Sequence, residues 1–353
     1  MSRSGALLRR HSSLRLPMTI TIIGGGSLGH VCLGVISSRP DITLNLLTSR
    51  PDRWQNNIIV SDTEGREYKG EIARISSNPA DVVPQADVIL LCLPGFLIEQ
   101  TLLSIKPFLR KETAVGSIVS STGFWFFAHD ILPSGTPLFG FQRVPFIARV
   151  GEYGRSGRLL GYKSSLAVAM EGVNDQEQLR ATIESLFNTP TTLLGSFYEA
   201  ALTNSNPILH TSRLFSLWGT WDGKAENRCI LFYKEWTIEA AELLIAMDNE
   251  FMSLLEKLPM NKAAIPSILD YYDSHDAESL CRKLQSIAAF ATIPAPMIET
   301  EEGWMPDFNS RYFTEDFPFG LRFIVDLARQ NNVPTPLIDR VFEWGMSRIK
   351  GEG

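Results

Sequence analysis

Cysteine and histidine are scarce in this chain, and positive charge is in deficit. Only four cysteines occur among 353 residues, Cys32, Cys92, Cys229 and Cys281, with no C-x-x-C pair. This excludes a disulfide scaffold and a thiolate metal centre, so no metal is expected. Cys32 and Cys92 fall in expected core elements, where a buried free thiol is the default. Such usage points to a reducing, cytoplasmic setting. The formal charge of −6 argues against nucleic acid or an anionic membrane surface as a partner. No apolar run reaches the length of a bilayer span, and no internal repeat or low-complexity stretch is present. What remains is an ordinary globular composition, 44% hydrophobic and 20% charged, on a chain long enough for two domains.

The most informative segment is Thr19-Ile20-Thr21-Ile22-Ile23-Gly24-Gly25-Gly26-Ser27-Leu28-Gly29. A β-branched run leads into Gly-x-Gly-x-x-Gly, and an apolar helical segment follows (Leu28, Val31, Cys32, Val35, Ile36). Gly24 allows the tight turn, Gly26 lets backbone approach a pyrophosphate, and Gly29 lets helix pack on strand. The helix start at Ser27 and Leu28 then offers N–H groups and a partial positive charge to an anion.

Further strands are expected at 42–48, at 58–61 and 66–72 around an Asp-Thr-Glu-Gly turn, and at 88–93. The last is nearly all apolar, as a buried parallel strand should be, and it ends at Pro94-Gly95. A helix to about 109, a strand at 114–120, more strands over 136–170 and a helix at 175–187 continue the alternation of a doubly wound sheet. Beyond about 196 helical periodicity dominates, at 200–218, 235–258, 265–272, 277–290, 320–331 and 336–349. The expected architecture is an α/β Rossmann-type dinucleotide-binding domain at 18–190 and an all-α domain at 191–353, with the active site between them. Residues 1–17 carry four arginines and no acid. They read either as a transit peptide or, preferably, as a start placed too early before Met18. Both readings put them outside the fold.

The end of the second strand selects the dinucleotide. A carboxylate there binds the adenosine ribose, whereas small polar residues with Arg suit a 2′-phosphate. Roughly twenty residues after Gly29 the chain reads Leu47-Thr48-Ser49-Arg50. No acid occupies this point, and Arg50 can meet a phosphate with a planar fork. NADP(H) is therefore expected over NAD(H), with Ser49 and Arg50 as contacts; a solvated loop charge is the plainer alternative for Arg50.

Five histidines are present. His210 stands out because it follows Asn204-Ser205-Asn206-Pro207-Ile208-Leu209 at the change of domain character. A second cluster, Arg311-Tyr312-Phe313-Thr314-Glu315-Asp316-Phe317-Pro318-Phe319-Gly320, sets three charges among four aromatics. Read alone, His210 fits a satisfied core histidine, and the cluster fits a capped helix start.

At these residues the chain resembles the octopine/nopaline, or opine, dehydrogenases. The resemblance spans about 19–350. It rests on the glycine turn, Gln142-Arg143-Val144-Pro145-Phe146-Ile147-Ala148-Arg149, Asn206-Pro207-Ile208-Leu209-His210, the 311–320 block and Val333-Pro334-Thr335-Pro336-Leu337-Ile338-Asp339. One departure is Thr211, where relatives often carry proline. The resemblance implies a helical domain like the C-terminal domain of 6-phosphogluconate dehydrogenase, a catalytic pair His210 and Asp316, and Arg311 on the cofactor's pyrophosphate. It also implies an amino acid and an α-keto acid as substrates, condensed to an imine and reduced. Glu315 competes with Asp316 as the partner of His210. Gln142, Arg149 and Asn206 are candidates for the substrate carboxylates, and Pro94 for the cofactor. One of the aromatics Phe215, Trp218 and Trp221 could line the amino-acid pocket, though core packing is the commoner role of such residues. A homodimer stays open. The alternatives are a ketopantoate-reductase-like 2-hydroxyacid dehydrogenase and a nicotinamide-binding sensor without turnover.

Overall fold

A computed structural model describes residues 18–39 and 41–349; the expectations for 1–17 lie outside the described residues. The chain opens with β1 (Met18–Ile23), α1 (Ser27–Ser37) and β2 (Ile42–Leu47). Next come β3 (Asn57–Asp62), β4 (Glu67–Glu71), β5 (Arg74–Ser76), β6 (Val88–Leu91) and α2 (Gly95–Ile105). Then follow β7 (Ala114–Ser117), α3 (Phe124–Ile131), β8 (Leu138–Phe141), β9 (Phe146–Val150), β10 (Ser156–Tyr162), β11 (Leu166–Glu171), α4 (Gln176–Phe187) and β12 (Thr191–Leu193).

Eight of these strands form one sheet in the order β12-β11-β8-β7-β6-β1-β2-β5. The run β5-β2-β1-β6-β7-β8 is parallel throughout and has the Rossmann strand order, which reverses direction beside β1. β11 joins antiparallel to β8. β12, residues 191–193, extends the sheet just past the boundary expected at 190. β3, β4, β9 and β10 form a separate four-stranded sheet. Residues 58–61 and 66–72 were expected to make a hairpin; they do so in this second sheet, where β3 pairs antiparallel with β4. One core lies between α1 and the two sheets. A second runs without a break from the α2–α3 face of the large sheet into the C-terminal half.

That half contains α5 (Phe197–Ala201), α6 (Asn206–Trp218), α7 (Ile238–Leu255), α8 (Ile268–Tyr271) and α9 (Ala277–Ser286). After β13 (Met297–Thr300) and β14 (Gly303–Pro306) come α10 (Arg311–Thr314), a π-turn (Phe317–Leu321), α11 (Arg322–Gln330) and α12 (Pro336–Ile349). Two expectations need correction. The helix expected at 200–218 is broken between Ala201 and Asn206, because Pro207 has no N–H to give and its ring excludes the carbonyl four residues back. The half expected to be all-helical also carries the β13–β14 hairpin. No helix among the described residues is long and apolar enough to cross a membrane.

The two halves meet through aromatic rings. Phe126 of α3 stacks on Phe323 of α11 with centroids 4.7 Å apart, and Phe127 meets the same ring edge-on at 5.4 Å. Burial of such large rings supplies much of the cohesion between packed elements.

Candidate active site

The glycine turn is built in two parts. Gly24 has φ +120°, and a Cβ there would lie 2.6 Å from the Cys92 carbonyl oxygen. A Cβ on Gly29 would lie 1.9 Å from the Gly24 carbonyl oxygen, so both positions are closed to side chains by backbone. Gly26 differs, since a Cβ there would meet nothing within 4 Å. The open side of Gly26 adjoins the start of α1, where no side chain caps the first turn. Ser27 and Leu28 are half-buried at that start. Free N–H groups beside an open glycine are what a pyrophosphate requires, so these residues fit a dinucleotide.

His30, one turn on, accepts from the Gly154 N–H at Nε2 (2.8 Å) and faces the Gly26 carbonyl at Nδ1 (2.9 Å). Burial lowers its pKa, against the opposing pull of that carbonyl, so the ring is a neutral tie between the turn and the β9–β10 loop. At the end of β2, Ser49 and Arg50 are exposed, and the Arg50 guanidinium makes no hydrogen bond among the described residues. The nearby Arg53 lies over the Tyr153 ring at 4.8 Å.

His210 sits in α6 just after Pro207 and is 9% exposed. Its Nδ1 is 2.8 Å from an Asp316 carboxylate oxygen, and its Nε2 is 2.9 Å from the Tyr233 hydroxyl. The Tyr312 ring lies alongside, with centroids 4.8 Å apart. A carboxylate only accepts, so Nδ1 carries the proton. Asp316 reaches His210 because the chain passes into the π-turn directly after it, closed by the Leu321 N–H donating to the Asp316 carbonyl at 2.7 Å. π-turns inside helices often mark functional positions. Gly320 completes the fit, since a Cβ there would lie 2.6 Å from Cγ of Pro207.

The choice between adjacent acids is geometric. Asp316 meets His210, whereas Glu315 faces the Gly95 N–H at the start of α2. Burial raises the Glu315 pKa, opposed by Arg311 and by that N–H. Pro94 precedes this N–H as the N-cap of α2. The loop after β6 and the 315–319 segment are thus in contact. Arg311 is exposed at the first position of α10.

Gln142, at the end of β8, donates to the Glu199 carbonyl at 3.3 Å. It borders a cavity of ≈ 180 Å³ shared with Thr203, Ser205 and Asp248. Asn206 is half-buried at the first position of α6. Arg149 is exposed on β9 and turns back to the Ala148 carbonyl; no hydrogen bond joins it to the His210 group. Trp218 is buried in the core, and Trp221 packs edge-on against Phe308.

Tyr233 and Arg213 carry no signal in the sequence. Tyr233 lies in the aperiodic stretch between α6 and α7, and Arg213 looks like an ordinary helix charge. Yet Arg213 is 2% exposed and donates to the carbonyls of Phe232 (3.0 Å) and Glu235 (2.7 Å). Burial lowers its pKa to about 10, against the pull of Glu235.

Residues 193–348 match the model of the NAD/NADP octopine/nopaline dehydrogenase alpha-helical domain. Over that stretch the chain is similar to the helical domain of this family. It is 27% identical to the opine dehydrogenase of Haliotis discus hannai over 368 residues, covering 95% of this chain and 91% of that one. The tauropine dehydrogenase of Arabella iricolor is also 27% identical, with 95% and 92% covered. Among solved structures, an octopine dehydrogenase with NADH and L-arginine superposes with a TM-score of 0.84 at 25% identity, covering 94% of this chain and 90% of that one. A yersinopine dehydrogenase with NADP+ shares the fold, with a TM-score of 0.71 at 14% identity over 95% of this chain and 91% of that one.

Proposed function

We propose that the chain catalyses reductive condensation of an amino acid with an α-keto acid through an imine. His210 is the general acid and base, and Asp316 orients it. The observation that carries this reading is the 2.8 Å contact of His210 with Asp316, next to a segment that touches the loop after β6. In this reading residues 18–190 hold the cofactor and 191–353 supply the substrate-side chemistry, in the cytoplasm.

Gly24, Gly26, Ser27, Leu28 and Gly29 would hold the pyrophosphate, with Pro94 beside it and Arg311 approaching from the helical half. Ser49 and Arg50 favour NADP(H), because no carboxylate opposes a 2′-phosphate at the end of β2. When bound, the nicotinamide supplies the reducing hydride. The chain's own task is positioning and proton transfer. Neutral His210 takes a proton from the substrate ammonium, and the freed amine attacks the keto carbon. The imidazolium, stabilised by Asp316, returns that proton to the hydroxyl of the adduct, which leaves as water and yields the protonated imine. Gln142 and Asn206 are the donors proposed for the substrate carboxylates; Arg149, turned away on the second sheet, is the weaker candidate.

The test is a matrix of amino acids against pyruvate, glyoxylate and 2-oxoglutarate, followed by NADPH absorbance. NADPH should be consumed only when amine and keto acid are both present. Oxidation with a keto acid alone would mark a 2-hydroxyacid dehydrogenase. Tight NADPH binding without turnover on any pair would mark a sensor.

A further inference from the structure

We propose that Tyr233 is a positioning residue for His210, fixing the imidazole tautomer and holding Nε2 until substrate replaces it. The proposal rests on His210 being the acid and base. The Asp316 carboxylate takes the Nδ1–H, so the lone pair of the neutral ring lies on Nε2, 2.9 Å from the Tyr233 hydroxyl. The phenol donates there. Burial pushes its pKa far above the usual value, with Tyr312, Tyr272 and Asp316 adding to the rise, so it remains a hydroxyl throughout the working range. A substrate amine or hydroxyl that exchanges a proton with Nε2 has to take the place of this hydrogen bond.

The stretch carrying Tyr233 is held from several sides. Arg213, one turn beyond His210 on the same helix, grips the carbonyls of Phe232 and Glu235. The Glu235 carboxylate accepts from the Leu231 N–H at 2.6 Å. The Tyr233 ring stacks on Phe290 with centroids 4.3 Å apart. One helix therefore carries both the imidazole and the clamp that fixes the phenol against it. The groups around His210 are Asp316, Tyr233 and Tyr312, with Arg213 on its own helix. Two independent restraints define the tautomer, so either alone should maintain it.

The experiment is nitrogen NMR of histidine-labelled protein, with the His210 signals assigned by His210→Asn. In the parent the neutral ring should carry its proton on Nδ1. Asp316→Asn should retain that form, because Tyr233 still donates to Nε2 and leaves the proton on Nδ1. Asp316→Asn combined with Tyr233→Phe should lose it and move toward the Nε2–H form, because the amide can then turn its NH2 to an unprotonated Nδ1. Tyr233→Phe alone keeps the ring stacking, and it should shift Nε2 toward the frequency of an unbonded nitrogen. An unchanged Nε2 signal in Tyr233→Phe, or a tautomer already lost in Asp316→Asn, would overturn the proposal. Normal turnover by His210→Ala would instead refute the catalytic reading, and it would appear in a separate assay.

Discussion

Replacing Asp316 with Asn removes one charge while leaving an oxygen in place to accept from Nδ1. Charges about 4 Å apart at an effective dielectric near 20 attract by roughly 4 kcal/mol before desolvation. The net value of a hydrogen bond to a charged partner is about 1.5–3 kcal/mol, and a neutral one retains about 1 kcal/mol. Allowing for both figures, a loss of about 2–3 kcal/mol is expected in the step that carries the imidazolium. Turnover should then fall roughly 30- to 150-fold. In a serine-protease triad the equivalent change costs about 10⁴-fold, because the tautomer is lost as well. Here the Tyr233 hydroxyl on Nε2 maintains the tautomer, which is why the smaller figure is expected. The double variant with Tyr233→Phe should approach about 10⁴-fold. The assay is steady-state kinetics on the substrate pair found in the matrix, with NADPH affinity followed by its fluorescence. Turnover within about threefold of the parent, or NADPH affinity weakened as much as turnover, would refute the reasoning.

Three further outcomes are expected. Gly320→Ala places a methyl against Pro207, which should cost about 1–3 kcal/mol of overpacking and lower turnover by separating His210 from Asp316; thermal unfolding and NADPH affinity would distinguish the two effects. Arg50→Ala should raise the Michaelis constant for NADPH by roughly 10- to 100-fold, the worth of a charge-assisted contact, and leave that for NADH nearly unchanged; equal effects would remove the case for NADP(H). Burial raises the pKa of Asp248 from its ordinary 3.8 to about 6. The native state therefore keeps a proton that the unfolded chain has already released, and stability falls as pH rises through that window, by at most about 3 kcal/mol. Asp248→Asn, which retains an acceptor for the Ile268 N–H, should be more stable than the parent at pH values above this window and similar below it, as measured by urea unfolding.

The first half of the fold was legible because its signals are local. The glycine turn, the apolar run of β6 and the turn between β3 and β4 each follow from a few adjacent residues. The break before Asn206 is written in Thr203-Asn204-Ser205-Asn206-Pro207, a polar run ending in proline that marks a helix start; joining the apolar residues on either side into one helix overlooks it. The β13–β14 hairpin has a Glu-Gly turn but little alternation, with Ile298 exposed on it, so its strands left no clear pattern. Asp316 could not be separated from Glu315 because the distinction lies in the π-turn, which redirects two adjacent carboxylates to different halves of the molecule. Tyr233 was invisible for a related reason. Its place depends on Arg213 and Phe290, partners 20 and 57 positions away in the chain, and no local pattern records them.

Gly95 has no room for even a methyl group, since a Cβ there would lie 2.7 Å from Cβ of Phe319. Positions 95 and 319 come from opposite halves, so the seam accepts only glycine at 95 whichever side chain stands at 319. Chimeras that graft the helical half of one relative onto the nucleotide half of another should assemble well only when the nucleotide half brings glycine at this position.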